Sequence, residues 1–297
     1  MIKKFAIEPT AITRWNDFRY VMEKLGFSEG RVLATYPKGW IRSVIDNLDG
    51  LGEIERKKFI EKLRLYKEDR IISSAISFQP EISWQRNACA NLSEFHRVIL
   101  DAGADQSFPT EIGKVNEIDE AFFDVPREIC CLNTVDGLTF PAELLLNQAA
   151  EVALVDPYFK PDIKGCLLVL AKFAELARSG KRFERFYIYI HSDSVPKDRG
   201  CSGAAQIERL CQGETLKGLT FVFRVIDPSL SENAFHARYL LTKHGGLRYD
   251  KGFRAAVDPE MVDISILDRR IHSLLVKSYL SAQVMPSVVD TWSWHFR

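Results

Sequence analysis

Val152-Ala153-Leu154-Val155, followed at once by Asp156-Pro157-Tyr158-Phe159, is a short continuous apolar run that stops at a polar break. A run of that length predicts a strand buried on both faces, the kind that sits in a parallel sheet under helices. Upstream, Pro141 opens a helix through Leu144, Leu145, Leu146 and Ala149. Downstream, Leu167, Leu168, Leu170, Phe173, Leu176 and Ala177 after Asp162 predict a second helix, closed by Gly180. Further strands are predicted at Phe186 to Ile190, Leu219 to Ile226 and Ala237 to Thr242, with a short helix at Ala204 to Cys211. Gly245-Gly246 turns the chain back onto Leu247 to Tyr249, Val262, Ile264 and Ile266 alternate as another strand, and Asp268 caps a last helix through Ile271, Leu274, Leu275 and Tyr279. With the apolar run Ile129 to Leu132 at its start, this order predicts an α/β fold, a mixed sheet flanked by helices.

The first hundred residues read differently. Apolar residues recur at helical spacing over 13–25, 38–48, 53–66 and 83–102, with only 71–78 looking extended. The expectation is a mainly helical N-terminal domain over 1–115 and an α/β domain over 116–297, divided within the polar, acidic stretch 103–125. The basic residues Arg56, Lys57, Lys58, Lys62 and Arg64 are interleaved with Glu53, Glu55 and Glu61, which marks a solvated, ion-paired face rather than a nucleic-acid surface. His96 reads as a packing or surface residue of the fourth helix.

The 297 residues carry 40 basic and 40 acidic side chains, so no global charge draws the chain to nucleic acid or to anionic membranes. Met1-Ile2-Lys3-Lys4-Phe5 does not lead into a signal-peptide core, and no segment has the roughly 18 apolar residues of a spanning helix. Six cysteines without a C-x-x-C pair predict free thiols in a cytoplasmic protein, with no metal site and no cofactor. The aromatics Trp292, Trp294 and Phe296 alternate at the C-terminus and are expected to pack on the body or on a partner subunit.

Polar residues gather where the predicted strands end: Asp156 and Tyr158 on one, His191 on the next, His236 and Arg238 at the start of a third. Side chains two apart on a strand share a face, so His236 and Arg238 can converge on one anion. Imidazole attacks phosphorus or moves a proton, and guanidinium binds two phosphate oxygens. Asp156 either orients an imidazole or caps the helix near Asp162. Tyr158 either stacks on a base, hydrogen-bonds a phosphate or is a core tyrosine. Lys243 and Arg248, on the hairpin, either add positive charge to the site or are solvated.

His236-Ala237-Arg238-Tyr239, then Gly245-Gly246, then Gly252-Phe253, with Asp156-Pro157-Tyr158 upstream, resembles the divergent branch of the phospholipase D superfamily that carries a single His-x-Arg-Tyr strand. The resemblance covers about residues 128 to 297. It departs from the active pattern of that superfamily: Arg238 stands for Lys, Lys243 stands where Asp belongs, and Gly252 comes two places late with Phe253 in place of a hydroxyl residue. The resemblance implies a metal-independent phosphodiesterase, as a nuclease in a prokaryotic antiviral or mobile-element setting, with His236 as nucleophile or as acid and base, Arg238 as clamp and a nucleic acid or other phosphodiester as partner. The family uses two imidazoles. The second would come from His191 or from a homodimer that pairs two copies of His236; failing both, the domain is an inactive phosphate- or nucleic-acid-binding module of an assembly that includes other defence proteins.

Overall fold

The computed structural model describes residues 1–104, 108–180, 183–211, 215–227, 237–281 and 287–296. The chain divides into two units, Ile2–Arg127 and, with Met1, Glu128–Arg297.

The first unit is not mainly helical. Its strands β1 (Lys3–Ile7), β2 (Arg31–Thr35), β3 (Ile71–Ser73), β4 (Arg97–Leu100) and β5 (Ile112–Lys114) form one sheet in the order β3-β2-β1-β4-β5, parallel throughout. The helices α1 (Trp15–Lys24), α2 (Trp40–Asp46), α3 (Glu53–Lys67) and α4 (Trp84–Ala90) connect them. The central strands are buried on both faces: Phe5, Ala6, Ile7, Val32, Leu33, Ala34, Val98 and Ile99 have no exposed surface. A three-residue apolar run that is buried all round has no polar side to report its period, so it fits a helix and a strand equally well. The predicted helix over 83–102 therefore breaks into α4, a short 3-10 turn and β4, and His96 sits just before the strand. The unit ends later than residue 115 because Ile118, Phe122, Phe123 and Val125 pack into the same core as Phe5 and Ile99.

The second unit is a mixed sheet flanked by helices. Its strands are β6 (Glu128–Leu132), β7 (Glu151–Val155), β8 (Arg185–His191), β9 (Thr220–Ile226), β10 (Arg238–Leu241), β11 (Gly246–Tyr249), β12 (Met261–Ile266) and β13 (Val288–His295), and its helices are α5 (Val135–Thr139), α6 (Glu143–Gln148), α7 (Lys164–Ser179), α8 (Cys201–Leu210) and α9 (Arg269–Tyr279). The strand order is β13-β9-β8-β7-β10-β11-β12-β6, with β7, β8 and β9 parallel and the remaining pairs antiparallel. Leu167, Leu170, Ala174 and Ala177 are buried at the helical repeat of α7, which fixes the side of that helix that meets the core. On the opposite face of the sheet, Leu275 and Tyr279 of α9 pack over Ala153, Val155, Tyr189 and Leu241.

The C-terminal aromatics close the edge of this sheet. Trp292 stacks on Phe223 at 4.9 Å, Trp294 lies 4.5 Å from the same ring, and Phe296 meets Phe221 edge-on at 5.5 Å. Alternation along β13 puts Trp292 and Trp294 on one face and Phe296 packs just past its end, so the strand is held by side-chain packing as well as by its ladder with β9.

Candidate functional site

The site lies where β7 ends and β10 begins. Val155 pairs with Tyr239 and Leu154 with Leu240, so one step further along both strands sets Asp156 beside Arg238. The parity of the strands then decides which face each side chain takes. Val155 and Tyr239 face α9, and Asp156 and Arg238 face the α7 side.

Asp156 is 3% exposed, and both carboxylate oxygens are occupied by backbone donors. Oδ1 accepts from the Tyr158 N–H at 3.0 Å, a local turn two residues on, and Oδ2 accepts from the Phe253 N–H at 3.0 Å, almost a hundred residues away. Arg238 Nε stands 3.9 Å from Oδ1. Burial pushes the carboxyl above the ordinary carboxylate range, against the pull of the two N–H groups and of Arg238. Asp156 therefore orients no described imidazole, and α7 starts at Lys164 without any side-chain cap. Its work is to tie the segment after β11 to the end of β7.

That segment is built to receive it. Phe253 is 1% exposed, 4.7 Å from the Tyr249 ring and 5.8 Å from Phe173 of α7, so its side chain anchors the loop in the core. Gly252 is required for space: a Cβ there would lie 2.5 Å from Asp156 Oδ2. The Gly-Phe step thus presents a backbone N–H to a buried carboxylate.

Arg238 is fixed from two sides and partly exposed. Nη1 donates to the Asp250 carbonyl at 2.7 Å, and the guanidinium carbon lies 5.1 Å from the centre of the Tyr158 ring. The buried Nε has no hydrogen-bond partner, and the side chain as a whole is 25% exposed. Of its five N–H groups, one is used in a hydrogen bond among the described residues. Tyr158 itself is 55% exposed, not a core tyrosine.

The other candidates are not brought here. Leu154 pairs with Ile188, so Ile190 is level with Asp156 and His191 takes the opposite face, that of Tyr187 and Tyr189. There its Nδ1 accepts from the Asp193 N–H at 3.3 Å. Arg248 pairs with Tyr239 and is exposed on the α9 side of the sheet. Lys243 lies beyond the far end of β10, roughly 16 Å from Arg238 at the rise of an extended strand. His236 lies outside the described residues. The Asp250 carbonyl was not among the sequence candidates, because a backbone acceptor carries no side-chain signature.

Among the described residues no three His, Cys, Asp or Glu side chains gather as a metal ion would require, and no described helix is long and apolar enough to cross a membrane. No family model matches the chain, and no curated protein matches it. Two solved structures are similar over about half of it. One is TrmBL2, an archaeal chromatin protein with a novel mode of DNA binding, at 14% identity and a TM-score of 0.28, covering 52% of this chain and 51% of that one. The other is the polyphosphate kinase from Porphyromonas gingivalis, at 8% identity and a TM-score of 0.30, covering 50% of this chain and 24% of that one. At these scores neither likeness bears on the activity of this chain.

Proposed function

We propose that the Glu128–Arg297 unit is a phosphate-binding module of the phospholipase D-like type, with Arg238 as the clamp for a phosphorylated ligand such as a nucleic acid. The observation that carries this reading is the state of that guanidinium: backed by the buried Asp156, pinned by one bond to the Asp250 carbonyl, and one-quarter exposed at the carboxyl edge of β7, β8 and β9, with its other terminal N–H groups in no hydrogen bond among the described residues. Ligands of open α/β sheets gather at that edge, and guanidinium is the side chain that matches phosphate with two parallel bonds. Binding is favoured over hydrolysis because His191 is on the opposite face and so supplies no second imidazole. A nuclease would need His236 together with an imidazole from another copy.

Titration of a 5′-phosphorylated single-stranded oligonucleotide against the full chain tests the reading. Arg238→Ala should weaken binding roughly ten- to hundredfold, the loss of charge-assisted bonds worth about 1.5–3 kcal/mol each, while Arg248→Ala, on the other face, should leave it unchanged. Arg238→Lys, which keeps a cation beside Asp156 without the fork, should recover the fold but not the affinity. Unchanged affinity in Arg238→Ala rejects the clamp. Cleavage of bis-p-nitrophenyl phosphate that survives EDTA and disappears in His236→Ala would make the module an enzyme.

A further inference from the structure

Resting on that reading, we infer that the module holds a run of consecutive phosphodiesters rather than one phosphate: Arg238 takes one, and Lys160, Lys164 and Arg254 take its neighbours, so the ligand is a nucleic-acid strand. The two segments that meet at Asp156 carry these cations. From the end of β7 the chain runs through Lys160 to Lys164, the first residue of α7. From β11 it runs through Phe253, whose N–H is on Asp156 Oδ2, to Arg254. The two segments are joined again beyond Asp156. The Ala255 N–H donates to the Gly165 carbonyl at 3.2 Å, and a Cβ built on Gly165 would run into the Ala255 carbonyl and lie 3.3 Å from Arg254 Cγ. The stem of Arg254 thus lies across the first turn of α7, against the residue that follows Lys164. The turn before α7 is fixed as well: the Ile163 N–H donates to the Lys160 carbonyl at 3.0 Å, and the Pro161 carbonyl packs so closely on α8 that Gly203 has no room for a Cβ.

Charge is the second ground. Lys160, Lys164 and Arg254 are exposed, and none of their side chains stands in an ion pair or a hydrogen bond among the described residues. On the same two segments other cations do have partners: Lys172 meets Glu175 at 3.0 Å and Lys251 meets Glu260 at 2.6 Å. The turn between β7 and α7 bears one exposed carboxylate, that of Asp162, and Asp156 is buried behind Arg238. Three exposed cations beside the clamp therefore face one exposed acid. A single phosphate is matched by the fork of one guanidinium and would leave those cations unused. A strand brings one negative charge with each nucleotide, and its neutralisation by Lys and Arg, with release of counterions, is the sequence-independent source of strand binding.

The test is the salt dependence of binding by the full chain, with a 5′-phosphorylated single-stranded oligonucleotide and a nucleoside 5′-monophosphate as probes. Four phosphate contacts at about −0.7 each should give the strand a slope of about −2.8 in log K against log salt, roughly a fiftyfold loss of affinity between about 50 and 200 mM. The monophosphate should bind more weakly and with a shallow slope. Lys160→Ala, Lys164→Ala and Arg254→Gln together should bring the slope for the strand to about −0.7, and each alone should lessen it by about 0.7. The Gln keeps the stem that packs on Gly165. Arg248→Ala, Arg270→Ala and Lys277→Ala together, which remove three exposed cations from the α9 side, should leave the slope as it is. A wild-type slope near −0.7, with strand and monophosphate held equally, overturns the inference, leaves the Arg238 clamp standing, and needs no variant to fold. An equal change of slope in the two triple variants overturns it as well, since overall charge would then be the cause. If neither probe binds, the phosphate reading fails and this one falls with it.

Discussion

Replacing Asp156 by Asn removes one charge and almost no volume, yet it should destabilise the chain, because the carboxylate satisfies two backbone donors with two separate oxygens. An amide has one acceptor oxygen. Whichever way it is turned, either the Tyr158 or the Phe253 N–H faces an NH2 group, and the Phe253 bond is fully buried. A buried donor left unpaired costs about 1–3 kcal/mol, and the surviving bond weakens when its acceptor loses charge. The opposing effect is the burial of the carboxylate, which raises its pKa and makes the ionised form the less favourable one in the fold. The neutral acid escapes the problem of the amide, since its single hydrogen can turn away while both oxygens keep a lone pair. The expected net loss at neutral pH is about 2 kcal/mol, or roughly a 4–8 °C drop in Tm for a unit of this size. The sign with pH follows from the raised value. The contribution of Asp156 to stability is fully present below the ordinary carboxylate pKa of 3.8 and is lost as pH rises through the raised one. Urea unfolding of both proteins from acid to neutral pH measures this. The wild type should show that falling component and Asp156→Asn should lack it. Equal stability at neutral pH together with an identical pH slope would refute the role given to this carboxylate.

Gly252→Ala should cost about 1–3 kcal/mol, since its Cβ meets the Asp156 carboxylate at 2.5 Å, and it should weaken binding by shifting the Asp250 carbonyl off Arg238; thermal unfolding and oligonucleotide titration check the two effects. His272 of α9 is largely buried, donates from Nε2 to the Thr242 carbonyl at 2.9 Å, and has its pKa lowered chiefly by burial. Its contribution to stability is therefore present above the ordinary value of 6.5 and is lost as pH falls through the lowered one, so the wild type should lose stability on acidification through that window and His272→Gln should lose less, as read by Tm against pH.

The second unit was legible where the sequence had contrast. The continuous run Val152–Val155, the stripe of α7 and the Gly245-Gly246 turn each stand between polar breaks, and Asp268 caps α9 by accepting from the Arg270 N–H at 2.8 Å. The first unit was not legible. Phe5-Ala6-Ile7, Val32-Leu33-Ala34 and Val98-Ile99-Leu100 lie inside a parallel sheet, where burial on both faces erases the alternation that would mark a strand. In the site, Asp156 and Arg238 were readable as residues at strand ends, but the pairing of those ends and the face each side chain takes were not. Parity is a relation between strands: His191 and Arg248 were excluded by the registers of β8 with β7 and of β11 with β10, and no single strand encodes its register. The Asp250 carbonyl and the space at Gly252 depend on backbone geometry, which side-chain identity does not report.

The central claim is that the terminal N–H groups of Arg238 receive phosphate, which alters the environment of the buried Nε–H behind them. Nitrogen-15 spectra of arginine-labelled full chain, with the Arg238 Nε–H signal assigned by its absence in Arg238→Lys, test it most directly under titration with inorganic phosphate and then with the phosphorylated oligonucleotide. A saturable shift of that signal, in step with binding, is the predicted result. A signal that stays still while the ligand binds elsewhere on the chain would contradict it.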